Sequence, residues 1–579
     1  MGGRPLAQVP RGRRAACSTC RAAATARRVV PESSDVVIIG SGIGGLCCAA
    51  IAARYGFSVT VLESHTIGKG APPSPSLLCL FSFPFADSLS SQKAGGCAHS
   101  FQRGGYEFDS GPSFFAGIGS ESKSNNALKQ CLDLVGEKVE CKEYGGWTAY
   151  LPEGVFTCEN NEASYLGEIQ KYGGEEAVRE WRALSKVMEP LANAAEALSF
   201  ASLRNDPFAA LTVGRSGQAF ATSGILNGGP FDAMSQLNGP FSYLLDKAGV
   251  RNEFLRNLID LECFVLSGMV ARSTLSPEMA YMYQERHKED SKLDYPVGGT
   301  RSIIDALVRG IEKYGGTVHL GQHVDQIVFE GGRAAGVALR GGGVVRANKK
   351  VVSNASIWDT YGSLVPRAEL PPRAADLLRE IPKLDSFMHL HLGIDGEGLA
   401  GDLGIHHLVV NSWEGGVDTD ANVVNISIPT TLDETLAPEG KHVVHAYTAA
   451  NEPYELWEKV ERGSREYLDL KEERSQCVWR ALERVIPDVR DRAELTMVGT
   501  PLTHARFVRR RAGTYGPGIE AGSQSWPTAN SAIDGLLLCG DSTFPGIGVP
   551  AVAGSGFIAA NTIATPWQHL RLLEELGEI

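Results

Sequence analysis

Apolar and polar residues follow three rhythms along this chain, and each predicts a different kind of element. Val36 to Ile39 is an unbroken β-branched run, the pattern of a strand buried on both faces. A glycine turn follows it, then a helix of small residues, then a second strand written VTVLE. In "YPVGGTRSIIDALVRGIEKYGG" the period lengthens, and Ile303, Ile304, Leu307, Val308 and Ile311 fall on one face of a helix. Residues from about Ser120 to Leu293 keep mostly to that helical spacing, as in "RNEFLRNLIDLECFVLSGM". The block "TVHLGQHVDQIVFEGGRAAGVALRGGGVVRANKKVVSNA" breaks short β-branched runs with glycine clusters, which predicts a meander or a set of hairpins. From about Trp358 to Thr500 the pattern mixes strands such as "FMHLHLGI" with helices such as "EYLDLKEERSQCVWRALERVI". The chain closes with a buried strand, Leu536 to Cys539, then Gly540 and Asp541, a proline and glycine loop, and a small-residue helix.

Composition narrows the picture. A length of 579 residues exceeds one core and fits about two domains of ordinary soluble composition. A net charge of -12 repels nucleic-acid phosphates, so no DNA or RNA partner is expected. Met1 to Pro31 differs in kind, with seven arginines and no acid. That composition predicts an organelle transit peptide, with the plastid as the destination and a disordered basic tail as the alternative. The twelve cysteines are read as reduced, since no export signal is present. The pair Cys17 and Cys20 lies inside the leader, and Cys47 with Cys48 reads as core filling on the first helix. No run of eighteen apolar residues exists, so no transmembrane segment is expected.

Gly40, Gly42 and Gly45 fit G-x-G-x-x-G between strand and helix, with Ser41 and Gly44 inside the motif. The first glycine allows the turn, the second lets backbone approach a pyrophosphate, and the third lets helix and strand pack closely. A phosphate would sit on the helix N-terminus, where free N–H groups and the helix dipole favour negative charge. Glu63 ends the second strand, placed to accept hydrogen bonds from ribose hydroxyls and to disfavour a 2′-phosphate. The motif by itself admits either FAD or NAD.

Taken with "GGCAHSFQRGGYEFDSGPS", "YPVGGTRSIIDALVRGIEKYGG", "VDQIVFEGGRAAGV" with "VVSNA", and "LLLCGDSTFPGIGVPAVAGSG", the chain resembles the FAD-dependent carotenoid isomerase and phytoene desaturase family. That family is related to retinol saturase and, more distantly, to the flavin amine oxidases. The resemblance implies an α/β fold, a Rossmann-like FAD-binding domain interleaved with an α+β substrate domain. In this chain the FAD domain would comprise 35–120, 294–357 and 501–579, and the substrate domain 121–293, mostly helical, and 358–500. The resemblance also implies roles. Gly40, Ser41, Gly42, Gly44 and Gly45 would hold the pyrophosphate, Glu63 the ribose, Gly95 and Gly96 a second backbone approach, and the Val324 backbone the adenine. Gly540 and Asp541 would meet the ribityl chain and pyrophosphate, and the helix entered at Val549 would point at the flavin. A helix N-terminus there would stabilise the reduced ring's negative charge. NAD(P)H is a candidate reductant of that flavin.

A polyene has no charged group to grip, so its recognition rests on a long apolar tunnel, at about 25 cal/mol per Å² buried. No triad or paired carboxylates stand out, which suits an enzyme whose flavin performs the hard step, and no catalytic side chain is assigned. His389 and His391 share a strand face but lack a third ligand at metal-like spacing, and His406 with His407 offers no more, so no metal is expected. The leading expectation is cis–trans isomerisation of a prolycopene-like carotenoid by reduced flavin. The alternatives are desaturation or saturation with net hydride transfer, amine oxidation, and a non-catalytic lipid escort. Peripheral membrane contact is a further expectation, since such a substrate dissolves in the bilayer.

One stretch departs from the family pattern. About twenty-six residues, 68–93, separate "HTI" from "GGCAHSF". A surface loop of that length costs little, about 0.6 kcal/mol per doubling, and "LLCLFSFPF" could touch a membrane. The expectation adopted is a retained intron: Gly-Lys and Lys-Ala at its ends can be encoded with splice donor and acceptor, and removal leaves "HTIAGGCAHSF" in frame.

Overall fold

The computed structural model describes residues 29–65, 94–119, 125–288, 291–523 and 526–577. The basic leader up to residue 28 and the 68–93 segment lie outside them. β1 (Ser33–Ile39), α1 (Ile43–Arg54) and β2 (Val59–Glu63) form the expected strand–helix–strand unit, with Val36 opposite Val59 and Ile39 opposite Leu62 in parallel register. Of the α1 residues only Arg54 escapes full burial. A helix built from Ala, Cys, Gly, Leu and Ile has no polar face, and it lies between the sheet and the helices Ala127–Val135, Thr300–Lys313 and Val549–Ile563.

The first sheet gathers strands from three separated stretches of sequence. Its order is Thr317–Leu320, β2, β1, Val344–Ser353, Arg333–Leu339 and Val324–Glu330, with Leu536–Leu538 parallel to Val344–Ser353. The meander predicted for 317–353 is therefore only partly one. Thr317–Leu320 pairs in parallel with β2, Leu320 against Glu63, while the three strands after it are antiparallel.

The second sheet runs Ala493–Gly499, His389–Asp395, Lys441–Thr448, Val423–Ser427, His406–Val410, Gly146–Tyr150 and Val155–Glu159. Along His389–Asp395 the strand period of two sorts the side chains. Leu390, Leu392 and Ile394 pack under the helix Arg465–Val485 in a core with Val478 and Leu482. His389 and His391 necessarily project from the opposite face. Gly146–Tyr150 and Val155–Glu159 are strands within the stretch 120–293, whose mostly helical spacing gave no sign of them. They are short, half-exposed strands paired antiparallel to each other, and Gly146–Tyr150 is held in turn by parallel pairing with His406–Val410, His407 opposite Thr148, more than two hundred residues away. Local spacing carries no trace of such pairing.

The helices Glu162–Ala197, Phe241–Ala248, Glu253–Ser267 and Ser276–Arg286 complete the substrate side. Their core encloses an ion pair, Arg286 Nη1 donating to Glu262 Oε1 at 2.6 Å, with Tyr165 and Tyr283 hydroxyls donating to Oε2 at 2.8 and 2.5 Å. No helix among the described residues is long and apolar enough to cross a membrane.

Candidate active site

At the carboxyl edge of the first sheet two glycine loops touch. Gly40 has φ +92°, and its N–H donates to the Leu62 carbonyl at 2.8 Å, turning the chain off β1. Gly95 and Gly96, at φ +126° and +57°, return against that turn. Gly95 N–H donates to the Ser41 carbonyl at 3.0 Å, and a Cβ at Gly96 would lie 3.1 Å from the Gly42 Cα. Glu63 braces the loop, one carboxylate oxygen accepting from the Ser41 amide at 2.9 Å and its hydroxyl at 2.7 Å. Gly42 caps α1 without a side chain, so the first N–H groups of the helix remain for a ligand.

The glycines also have a neighbour that the motif does not mention. A Cβ at Gly42 would lie 2.7 Å from Asn354 Nδ2, one at Gly44 2.9 Å from Asn354 Oδ1, and one at Gly540 2.9 Å from the same oxygen. The Asn354 carboxamide thus sits where the first glycine turn and the Gly540 loop converge. A Cβ at Gly45 would meet the Gly40 carbonyl at 2.5 Å, so Gly45 holds the helix against its own turn. Gly44 also packs on the C-terminal helix, where a Cβ at Gly556 would come 2.5 Å from the Gly44 carbonyl oxygen.

These elements open onto one cavity of about 1640 Å³, beyond the usual range of about 300–1,000 Å³ for a single small ligand. Gly40, Ser41, Gly42, Gly44, Glu63, Gly95, Gly96, Val324, Gly540, Asp541 and Val549 all line it. Gly45 alone among the expected residues lies behind the lining. Asp541 does not stand free, because its Oδ2 accepts from Arg510 Nη2 at 2.5 Å. Arg510 also donates to the Thr514 and Tyr515 carbonyls at 2.8 and 3.0 Å. Burial works against the guanidinium's charge, but Asp541 and the Cys97 thiol outweigh it and hold its pKa above the usual value. Helix Val549–Ile563 starts at Gly548, again without a side-chain cap, and aims its first turn into the same cavity.

The opposite wall comes from the second sheet and the helix Pro501–Phe507. Phe387, His389, His391, Tyr447, Met497, His504 and Tyr515 line it, and none is a carboxylate. Burial keeps these imidazoles neutral, lowering His391 to about 4 and His504 to about 3 and His389 well below its usual value. Burial likewise raises the Tyr447 and Tyr515 phenols, so this wall is uncharged at neutral pH. His445, from the neighbouring strand, brings a third imidazole beside His389 and His391, which linear spacing did not reveal.

The residues fit FAD on their own geometry: two helix N-termini without caps, crossed glycine loops, a carboxylate at the end of β2 and volume for a dinucleotide plus a second molecule. Sequence reasoning missed Asn354, Arg510, His445 and Gly556. The SNA after a buried strand and the arginine run 509–511 were the only local cues for the first two.

Comparison with known proteins agrees with this arrangement. The profile for flavin containing amine oxidoreductases matches residues 90–564, and that for FAD dependent oxidoreductases matches 35–74. A chloroplastic prolycopene isomerase from Daucus carota is 30% identical over 542 residues, covering 92% of this chain and 80% of that protein. The Arabidopsis thaliana prolycopene isomerase is 30% identical over 560 residues, covering 92% and 82%. An all-trans-retinol 13,14-reductase from Danio rerio is 25% identical over 547 residues, covering 88% and 83%. Among solved structures, putrescine oxidase bound to putrescine superposes with a TM-score of 0.55 at 14% identity, covering 92% of this chain and 98% of that one. With the FAD cradle assembled from three stretches, the chain belongs to the flavin-containing amine oxidoreductase family, as an FAD-dependent enzyme and a relative of the prolycopene isomerases.

Proposed function

We propose that this enzyme isomerises cis double bonds of a carotenoid of the prolycopene kind, in the plastid, without net oxidation or reduction. One observation carries the reading: the FAD cradle and an uncharged wall of aromatic, aliphatic and imidazole side chains share a single cavity. None of the side chains named on that wall is a carboxylate that could pair with a substrate ammonium. An elongated hydrocarbon needs only apolar area, at about 25 cal/mol per Å².

Bound FAD supplies the electron chemistry. Gly42, Gly44 and the α1 amides would hold the pyrophosphate, Glu63 the ribose, and the Val324 backbone the adenine. Asp541, oriented by Arg510, would take the ribityl chain. The uncapped N-terminus at Val549 favours negative charge on the reduced ring. Phe387, Tyr447 and Met497 hold the polyene and exclude water beside it. NAD(P)H is proposed as the source of flavin electrons. Support for the location comes from the arginine-rich leader and the chloroplastic relatives. Exposed Phe208, Leu211, Phe231, Met234 and Trp567 are proposed to touch the bilayer in which the substrate dissolves.

A second reading, net hydride transfer to the polyene, is favoured by the retinol reductase likeness. Anaerobic incubation of FAD-loaded, pre-reduced protein with a poly-cis carotene separates the two. Unchanged product mass with altered chromatographic retention supports isomerisation. A gain or loss of two hydrogens overturns it in favour of the second reading.

A further inference from the structure

The wall opposite the FAD cradle holds a knot of imidazoles that the flavin chemistry does not use. His389 and His391 project from alternate positions of one strand, and His445 stands directly across from His391 on the neighbouring strand Lys441–Thr448. His504 joins from the helix Pro501–Phe507, its ring centroid 4.8 Å from that of His389. All four are at least nine-tenths buried, with relative exposures of 2–7%. One potential ligand nitrogen from each of His389, His391 and His445 lies within 4.8 Å of the others.

Counting protons and lone pairs shows what the cluster lacks. His391 Nε2 is 3.2 Å from the Asp109 carbonyl, which can only accept, so that nitrogen carries the hydrogen and Nδ1 is a bare lone pair. His504 donates to the Phe387 carbonyl, and its Nε2 is buried without a partner. His389 Nε2 and His445 Nε2 face each other at 3.3 Å, so one donates to the other. Whichever does, His445 Nδ1 is left buried with no partner. Each such buried unsatisfied group costs about 1–3 kcal/mol.

A cation held between the facing Nε2 atoms of His389 and His445 would replace the single hydrogen bond they share. Two nitrogens each about 2.05 Å from one tetrahedral ion stand about 3.3 Å apart, the separation that His389 and His445 already have. Metal-bound histidines commonly donate their second nitrogen to a backbone carbonyl, as His391 does to Asp109. Imidazole-only sites suit zinc and its neighbours in the first transition row, whereas calcium and magnesium require oxygen ligands. We propose that His389, His391 and His445 bind one divalent ion of the zinc type, with its open coordination position facing the cavity. His389 and His391 line that cavity, whereas His445 anchors the ion from behind. The site joins two strands and places a Lewis acid on the wall opposite the flavin cradle.

The test uses full-length, FAD-loaded protein, dialysed against chelator and titrated with cobalt(II), which reports its ligands in its visible spectrum. The expected result is one equivalent bound with an imidazole ligand field, displaced by zinc. His391→Gln and His445→Gln are expected to weaken binding at least about 100-fold, beyond the 10–100-fold typical of losing an outer-sphere partner. Flavin absorbance verifies that the variants are folded. Should both variants lose FAD, X-ray absorption on the zinc-loaded wild type decides instead: three imidazole nitrogens at about 2.0–2.1 Å support the site. No stoichiometric uptake by the wild type, equal affinity in folded variants, or sulfur or carboxylate ligation overturns the proposal.

Discussion

Gly556→Ala sets two effects of opposite sign against each other. In an exposed helix the change stabilises by about 1 kcal/mol, because alanine has the better helix propensity. At Gly556 the new methyl would lie 2.5 Å from the Gly44 carbonyl oxygen, 2.9 Å from the Cys48 amide nitrogen and 3.0 Å from the Cys47 Cβ. Two of those atoms are backbone of α1 and cannot rotate away. Ordinary contact begins at 3.4 Å, so the two helices must part by about 0.9 Å at the crossing. Overpacking of this kind costs about 1–3 kcal/mol, and rigid backbone on both sides places it at the upper end. The net expectation is a loss of about 2 kcal/mol in urea denaturation at fixed excess FAD. The same displacement moves Gly548 and Val549 on the cavity wall, where FAD is proposed to bind, so FAD affinity should fall about fivefold for each 1 kcal/mol transmitted. Gly167→Ala is the internal comparison, being exposed within the helix Glu162–Ala197 with nothing inside 4 Å of the new methyl. It should gain about 0.5–1 kcal/mol. If Gly556→Ala gains as much as Gly167→Ala and keeps wild-type FAD affinity, the close crossing of α1 and the C-terminal helix is refuted.

Three further outcomes follow from the buried charges. Arg510→Met strips Asp541 of its partner and should cost about 1.5–3 kcal/mol, read as lost FAD content on gel filtration. Glu262→Gln leaves Arg286 uncompensated and should destabilise by about 3–5 kcal/mol, while FAD binding by the folded fraction is unchanged because none of that cluster lines the cavity. Burial lowers His287 and His406 to about 3 and His569 to about 4, so the folded protein refuses protons that the unfolded chain accepts near pH 6.5. Their contribution to stability is complete above pH 6.5 and is lost as pH falls toward 4, together about 4 kcal/mol per unit. Urea midpoints measured from pH 7 to 5 should fall steeply, and a flat profile would contradict the burial of these rings as neutral groups.

Local chemistry made the cofactor half of the molecule readable. Gly40 with its positive φ, a helix entered without a cap and an acid ending β2 all lie in the one strand–helix–strand unit between residues 40 and 63. Asn354 escaped because its role is to be surrounded: its importance lies in the Cβ atoms missing from Gly42, Gly44 and Gly540. The second sheet escaped for a related reason. It unites Gly146–Tyr150 with strands that begin beyond residue 388, and hydrogen bonding between them leaves no period in either segment. His445 shows the same limit in the site itself, since it is 54 residues from His391 in sequence and opposite it in space.

The most direct test of the central claim counts reducing equivalents. With FAD-loaded protein reduced once under strict anaerobiosis and an excess of poly-cis carotene, an isomerase forms many product molecules for each reduced flavin, and the flavin stays reduced throughout. One product molecule per flavin, with reoxidation of the ring in step, would contradict the account and establish net hydride transfer instead.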